Sequence, residues 1–272
     1  MTAGFVYNRI VVRGAGDIAT GVIRRLAAAG LEVIALEQPS PSCIRRKVCF
    51  ADAVFNQKVT IEDFAAELVE SVENVPAIFA SGDIPILIDP EAKYLPNLKP
   101  LAIIDARMLK ENINTNLNDA PIVIGLGPGF TTSRNCHAAV ETNRGANLGR
   151  VILSGSTSAD TGVPAEVNGY SRQRVVRSPA DGIFQSACEI GDVVTSNQIL
   201  GYVAELQVEA KIDGVVRGII NDNLTVGKNQ KIGDIDPRGI RDACFRISDK
   251  AIAVGDGVYK ALMILKDRMD SH

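Results

Sequence analysis

A glycine-rich turn near the start of the chain restricts the fold more than any other feature of the sequence. The run RIVVR (9–13) is typical of a short buried strand, and the turn Gly14-Ala-Gly16-Asp-Ile-Ala follows it directly. Apolar residues then recur at helical spacing, and the run LEVIAL (31–36) predicts a second strand. A strand, a GxGxxA turn, a helix and a strand in this order predict a Rossmann-like unit with parallel strands.

The same unit predicts a binding edge for a nucleotide or another phosphate-bearing ligand. Gly14, Gly16 and Asp17 form the turn and the start of the helix, where backbone N–H groups attract an anion. Glu37 ends the second strand, at the position where an acidic residue would meet a ribose hydroxyl. Because a fold does not determine its ligand, the pattern predicts this class of ligand and no single member of it.

A basic loop follows the predicted ribose position. The run QPSPSCIRRKVC (38–49) contains two prolines that oppose a helix start, followed by three consecutive cations. Arginine guanidinium groups match phosphate geometry, so Arg45 and Arg46 are candidate ligands of an anion. An exposed basic loop that binds nothing explains the same pattern.

The segment 122–149 predicts a second strand, glycine turn and helix. Ile122–Ile124 is an apolar run, a glycine-rich turn follows it, and a helix would begin near Thr131–Ser133. That helix would place a thiol, an imidazole and a carboxylate close together. The candidate catalytic residues are Cys136, His137 and Glu141, and the candidate cofactor-binding residues are Gly125, Gly127, Gly129 and Arg144.

A structural explanation of this segment stays open beside the functional one. Many glycine turns after strands bind no ligand, and a free cysteine such as Cys136 is often a small buried apolar residue. The charged residues of the predicted helix could form an exposed row of weak ion pairs.

The segments between these two units predict that strands and helices continue to alternate. Thr60–Glu73 has helical spacing, whereas Ala77–Ala80 and Leu101–Ile104 are strand-like. Ligands of open parallel sheets bind beyond the carboxyl ends of the strands, so Asp105 and Arg107 are expected at the same edge as Glu37.

An internal repeat with an offset of 32 residues relates positions 176–203 to positions 208–235. Short β-like runs separated by turn residues predict a small barrel with pseudo-twofold symmetry. The pattern resembles the biotinyl/lipoyl barrel, in which the hairpin between the halves carries the modified lysine. That hairpin falls here at Ala204–Gln207 and contains no lysine, so we expect no biotin or lipoate.

The predicted fold class is therefore α/β, with a Rossmann-like domain at 1–150, a connection at 151–170 and the barrel at 171–237. A strand and a helix at 238–272 are expected to return to the first domain. Within that region Cys244–Ile247 is strand-like, 253–257 forms a third glycine turn, and Val258–Met269 has helical spacing.

The net charge, the apolar runs and the cysteines of the chain limit its possible partners and its cellular setting. The net charge is −3 and no long basic run occurs, which disfavours nucleic acid as a main partner. No apolar run approaches the ~20 residues of a membrane-spanning helix. The five cysteines form an odd set without close pairs, which favours a reducing, cytoplasmic setting. The chain could form a homo-oligomer, but no feature of the sequence determines its oligomeric state.

Six runs together resemble the YqeB-type proteins, which are accessory proteins of selenium-dependent molybdenum hydroxylase systems. The runs are RGAGDIATG, IRRKVCFADAV, VIGLGPGF, CHAAVETNRGANLGRV, SPADG and SDKAIAVGDGV. The resemblance covers nearly the whole chain and implies a role in maturing or equipping a molybdenum hydroxylase.

Three functional hypotheses follow. In the first, a maturation protein holds a nucleotide or a molybdopterin-type cofactor, and Cys136 carries a sulfur or selenium atom or touches the metal centre. His137 would lower the pKa of that thiol. In the second, an NAD(P)-dependent oxidoreductase uses Glu37 on the ribose and His137 as proton donor. In the third, a non-catalytic platform docks a hydroxylase through the barrel.

Overall fold

The computed structural model describes residues 9–160 and 162–271, and its largest element is a nine-stranded sheet. The strands are β1 (Arg9–Arg13), β2 (Glu32–Glu37), β3 (Lys58–Ile61), β4 (Phe64–Val69), β5 (Ile84–Ile88), β6 (Ala102–Asp105), β7 (Ile122–Leu126), β8 (Ala138–Val140) and β9 (Val151–Ile152). Their order in the sheet is β3-β4-β5-β2-β1-β6-β7-β8-β9. The seven strands from β4 to β8 in this order run parallel to one another, whereas β3 and β9 are antiparallel edge strands.

The predicted Rossmann-like parallel sheet is wrong, because the observed sheet is mixed. The segment 60–73, predicted to be a helix, supplies much of the antiparallel β3–β4 hairpin. Val59, Thr60 and Ile61 are β-branched and suit a strand, and Glu62 turns the chain at a φ of 51°. The predicted strand at Ala77–Ala80 lies in a helix, and β5 follows it.

The second predicted helix is also wrong. Residues 131–149 form turns and strand β8, which pairs with β7 on one side and β9 on the other. Ala138, Ala139 and Val140 are all buried, as a strand covered on both faces requires. A short apolar run of this kind does not distinguish a strand from a helix by its spacing.

Helices cover the sheet on both faces. They are α1 (Asp17–Ala27), α2 (Ala53–Asn56), α3 (Val75–Ala80), α4 (Leu95–Leu98) and α5 (Asp249–Asp270). Helix α5 begins at the Ser248 cap, whose hydroxyl accepts the Ala251 N–H, and it contains the predicted glycine turn at 253–257. It packs on α1, β7 and β8. In the described chain, no helix is both long and apolar enough to cross a membrane.

Small residues allow α1 and α5 to cross at close range. A Cβ on Gly21 would lie 2.5 Å from the Ala251 carbonyl oxygen, and one on Gly255 would lie 2.6 Å from the Gly21 carbonyl oxygen. Val22, Leu26, Val254 and Val258, all buried, join the same core. The start of α1, and with it the first glycine turn, is therefore positioned by the far end of the chain.

The C-terminal β region consists of two four-stranded antiparallel sheets. The predicted biotinyl/lipoyl-like barrel is therefore wrong, because the strands form two separate sheets. The strands are β10 (Val175–Arg177), β11 (Gly182–Ser186), β12 (Val193–Val194), β13 (Ile199–Val203), β14 (Leu206–Glu209), β15 (Gly214–Ile219), β16 (Thr225–Val226) and β17 (Lys231–Asp236). One sheet has the order β10-β17-β15-β12 and the other β14-β13-β11-β16. Apolar residues of both sheets share one core. The predicted strand-like run Cys244–Ile247 is not a strand, because Cys244 ends the 3-10 helix Arg241–Cys244 and residues 245–247 form an irregular link to α5.

The sequence repeat is a repeat of contacts as well. The Asp181 carboxylate accepts the Lys228 N–H, and the Asp213 carboxylate accepts the Ser196 N–H. These two pairs are related by the offset of 32 residues, and each crosses between the two copies. An aspartate of each half therefore stabilises a turn of the other half by accepting a backbone N–H.

The loop that follows Gln38 joins the two β regions. The Nε of Arg46 donates to the Ile219 carbonyl oxygen at 3.2 Å, and the Asn221 amide donates to Asp52 at 2.9 Å. A Cβ on Gly218 would lie 2.6 Å from the Ile44 carbonyl oxygen. The predicted domain boundaries near residues 150 and 170 stay predictions.

We predict that Gly255→Ala destabilises the protein. Alanine normally stabilises a helix interior relative to glycine by about 1 kcal/mol, but here its Cβ would collide with the α1 backbone. The free energy of unfolding should fall by about 1–3 kcal/mol, measured by urea denaturation. Ile252→Ala, on the exposed face of the same helix, is the control and should change it by less than about 0.5 kcal/mol. A more stable Gly255→Ala variant would contradict the close crossing.

Candidate ligand-binding site

A cavity of about 530 Å³ lies at the carboxyl ends of β1, β2 and β6. We call it the sheet-edge cavity. Ligands of α/β sheets bind at this edge, and the volume suits a small molecule. Its lining includes Arg13, Gly14, Gly16, Asp17, Glu37, Cys43, Glu91, Arg107, Met108, Ile113 and Asn114.

The first glycine turn forms one wall of this cavity. Gly14 has a φ of 97°, its N–H donates to the Leu36 carbonyl oxygen, and a Cβ there would lie 3.3 Å from the Ala106 backbone. Glycine is therefore needed at this position. Gly16 has an ordinary φ of −71° and precedes α1, so a side chain there would meet the cavity and Cys43.

Glu37 binds the glycine turn itself. Its Oε2 accepts the Ala15 N–H and its Oε1 accepts the Gln38 N–H, both at 2.8 Å. Burial raises the pKa of Glu37, although these two hydrogen bonds oppose the rise. The carboxylate thus fixes the turn and has less capacity left for a ribose hydroxyl.

A buried polar cluster stands behind the cavity. The guanidinium of Arg107 binds the Asp105 carboxylate, and that of Arg13 donates to the Thr115 hydroxyl at 2.8 Å and to Asn114 Oδ1 at 2.9 Å. Burial opposes ionisation of Asp105, but the bonds and charge of Arg107 bring its pKa below the ordinary value. Arg13 is 2 % exposed, and desolvation lowers its pKa.

A second cavity of about 310 Å³ adjoins the first and shares Asp17 and Cys43 with it. We call it the cationic cavity, because it lies between the N-terminal sheet and the C-terminal β region and is lined by basic side chains. These are Arg45, Arg144, Arg174, Arg217, Lys231 and Lys250. The acidic lining residues are Asp17 and Asp234. The lining also includes Ser248 at the start of α5, so two helices begin at this cavity.

Each arginine of the cationic cavity is paired with an aspartate. Arg45 donates to both Asp17 oxygens at 2.9 and 3.0 Å, and Arg144 holds Asp249 through two bonds of 2.7 and 2.9 Å. Pairing with Arg144 lowers the pKa of Asp249 to about 2. Arg174 pairs with Asp234 at 2.7 Å, and Arg217 pairs with Asp236 at 3.2 Å.

The two lysines differ from the arginines. Among the described residues, no carboxylate lies within 4.0 Å of the Lys231 or Lys250 ammonium group. Lys231 is reached by solvent, but the surrounding protein removes part of its hydration, and this desolvation lowers its pKa. Desolvation also lowers the pKa of Lys250. Neither ammonium group forms a direct ion pair in the described chain, although the charge of Asp234 reaches Lys231 and that of Asp17 reaches Lys250.

Two thiols lie where the cavities meet. Cys43 lines both cavities and Cys49 lines the cationic one. Burial raises the pKa of Cys49, and the neighbouring Cys43 thiol adds to the rise. Among the described residues, no group of three or more His, Cys, Asp or Glu side chains is placed to hold a metal ion.

The second glycine turn lies away from both cavities and is filled by protein. A Cβ on Gly125 would lie 2.1 Å from the Phe130 ring, and one on Gly129 would lie 2.4 Å from the Asn112 nitrogen. The Gly127 carbonyl oxygen accepts the Thr157 hydroxyl. None of these glycines lines either cavity.

The three candidate catalytic residues do not converge. Cys136 is fully buried, and desolvation raises the pKa of its thiol to about 11, opposite to an activated nucleophile. His137 Nδ1 accepts the Val123 N–H at 3.0 Å in a groove beside Pro121. The Glu141 carboxylate accepts the N–H groups of Thr142, Asn143 and Ser158. Burial alone would raise the pKa of Glu141, but these hydrogen bonds bring it below its ordinary value.

The structure thus sorts the predicted site residues into two groups. Gly14, Gly16, Asp17, Glu37, Arg45 and Arg144 line one or both cavities. The residues outside both are Arg46, Gly125, Gly127, Gly129, Cys136, His137 and Glu141. Sequence reasoning missed Arg174, Arg217, Lys231 and Lys250. Within the repeat, Arg217 stands opposite Gln185 and Lys231 opposite Ile199, so a departure from symmetry was the available signal.

Comparison with known proteins agrees with the resemblance seen in the sequence. No family model matches the chain. The chain is 46 % identical over 259 residues to the uncharacterized protein YqeB of Escherichia coli (strain K12), an alignment that covers 95 % of this chain and 48 % of YqeB. The similarity supports the YqeB-type resemblance. The chain spans about half the length of this curated relative, whose printed name states no activity.

Solved structures add little. An aspartoacylase family protein from Mesorhizobium loti is 11 % identical, with 84 % of this chain and 83 % of that chain covered and a TM-score of 0.25. A succinylglutamate desuccinylase from Silicibacter sp. is 15 % identical, with 84 % of each chain covered and a TM-score of 0.25. Such scores do not establish a shared fold.

We predict that Cys136 does not react with iodoacetamide in the native protein at pH 8. Its thiol is buried and its pKa is about 11, so thiolate is scarce and inaccessible. Cys43, which is partly exposed, should be labelled first. Peptide mapping by mass spectrometry, with a denatured sample as the control, measures both. Labelling of native Cys136 as fast as that of Cys43 would restore it as a candidate nucleophile.

Proposed function

We propose that this chain is the ligand-binding part of an accessory protein that matures or equips a selenium-dependent molybdenum hydroxylase. Its ligand is a nucleotide or a molybdopterin-type cofactor, and in either case a small molecule that bears phosphate. The resemblance to YqeB-type proteins supports the role, and the two adjoining cavities support the class of ligand.

One observation carries the class of ligand. The cationic cavity opens beside the glycine turn and contains six basic side chains, whereas its lining contains two carboxylates. Arginine and lysine side chains together with the starts of two helices are the usual means of binding phosphoryl groups. The heterocycle of the ligand fits the sheet-edge cavity, where Met108, Leu109 and Ile113 provide apolar surface.

The arrangement favours binding over redox catalysis. An oxidoreductase of the kind considered would need a proton donor beside the sheet-edge cavity, and His137 lies in a different groove. Glu37, the expected ribose ligand, already binds Ala15 and Gln38. Cys136 is buried, so the delivery of sulfur or selenium through its thiol is not part of the proposal.

We predict that Gly16→Val weakens ligand binding at least about tenfold without unfolding the protein. The φ of −71° suits valine, the nearest atom outside the turn is Cys43 Sγ at 3.5 Å from the new Cβ, and the added methyl groups would occupy the cavity. Calorimetry with CTP, GTP, NAD(H), NADP(H) and molybdopterin would identify the ligand and measure the loss.

Gly227→Val is the matched control. It lies in a turn of the C-terminal β region, and a Cβ there would lie 3.7 Å from Asp181 Oδ1, an ordinary van der Waals distance. This variant should bind like the wild type, and both variants should keep similar melting temperatures. Failure of every phosphate-bearing ligand to bind, or equal binding by Gly16→Val, would overturn the proposed function.

A further inference from the structure

We propose that the cationic cavity is a pyrophosphate site, built to hold two or more linked phosphoryl groups. The inference deepens the proposed function and rests on it for the organic part of the ligand. It adds that this ligand carries a diphosphate or a longer oligophosphate chain, and that Lys231 and Lys250 are the residues that recognise it.

The first argument is the balance of charge. The four lining arginines are matched by Asp17, Asp234, Asp236 and Asp249, so these eight groups cancel. The ammonium groups of Lys231 and Lys250 remain as lining cations without a direct ion pair. A surplus of two positive charges in a small cavity suits a group with several negative charges better than a single phosphate monoester.

The second argument is hydrogen bonding. The Nε–H groups of Arg45, Arg174 and Arg217 are buried and have no hydrogen-bond partner, and neither does Oδ1 of Asp234. All four residues line the cationic cavity, and Arg45, Arg174 and Asp234 are at least nine-tenths buried. Buried polar groups without partners are costly, so their accumulation around one small cavity is typical of a site shaped for a polar ligand.

The third argument is position. Asp17 begins α1 and Ser248 caps α5, so the amino ends of an 11-residue helix and a 22-residue helix both reach the cationic cavity. Through Asp17 and Cys43 the cavity continues into the sheet-edge cavity. A ligand with its heterocycle at the glycine turn can therefore extend its phosphates toward the lysines.

The two lysines of this site come from different regions of the chain. Lys231 lies on β17 in the C-terminal β region, whereas Lys250 lies on α5, which packs on α1. A diphosphate that contacts both ammonium groups would link the two regions directly. Binding would then raise the melting temperature of the whole chain.

The test uses inorganic pyrophosphate as the probe, because it reports on the cationic cavity without a heterocycle. Calorimetry on the full chain should show pyrophosphate binding more tightly than orthophosphate, with an affinity that falls as salt is added. Lys231→Gln and Lys250→Gln should each weaken binding on the order of tenfold, the loss expected for one charge-assisted hydrogen bond.

Lys211→Gln and Lys260→Gln are the charge-matched controls, because both lysines are exposed and line neither cavity. They should leave pyrophosphate affinity unchanged. Lys231→Arg keeps the charge and should restore most of the binding lost in Lys231→Gln, which separates recognition from misfolding. No pyrophosphate binding, binding no tighter than orthophosphate, or equal losses in the control variants would overturn the inference.

Failure of the inference is distinguishable from failure of the proposed function. If nucleotides and molybdopterin do not bind but pyrophosphate binding depends on Lys231 and Lys250, the proposed function fails and the inference stands. If a nucleotide binds with full dependence on Gly16 and none on the two lysines, the inference fails and the proposed function stands.

Discussion

The buried ion pair between Arg45 and Asp17 holds the candidate site together. One Arg45 nitrogen binds both oxygens of Asp17, and the other donates to the carbonyl oxygens of Ala243 and Arg246. Asp17 is the first residue of α1, so this single side chain joins the glycine turn, the basic loop and the segment that leads into α5. Because Arg45 is 8 % exposed, its bonds compete little with water. Both cavities depend on this junction, since Asp17 lines each of them.

Short sequence patterns predicted the part of the site whose residues lie close together in the sequence. Gly14 and Gly16 stand between a strand and a helix in the structure, as their spacing predicted, and Glu37 ends the next strand. The segment around Cys136 failed for a physical reason. Its apolar residues are too few to show a period, and burial on both faces of β8 satisfied them as a strand. With the helix absent, Cys136, His137 and Glu141 lost the common face on which the catalytic hypothesis depended.

The lysines of the cationic cavity could not be found by reading neighbours in sequence. Lys231 lines the same cavity as Arg45, almost two hundred positions earlier, because the basic loop contacts β15, the neighbour of β17. The β3–β4 hairpin is local in sequence and was missed for a different reason, because its apolar residues recur at helical spacing while the chain turns at Glu62. The repeat held the best clue. Its second copy carries Arg217, Lys231 and Asp234 where the first has Gln185, Ile199 and Tyr202.

The two edge strands of the nine-stranded sheet affect how the chain behaves while it folds. A parallel sheet assembles slowly, and an open margin of long apolar strands invites pairing with other chains. Here one margin, β9, is only two residues long, and the other, β3, begins with Lys58, which pairs with Glu67 and Asp83. A short strand and a charged one both resist the addition of a foreign strand. The length of one edge strand and the charge of the other therefore disfavour pairing of the folding chain with a second chain.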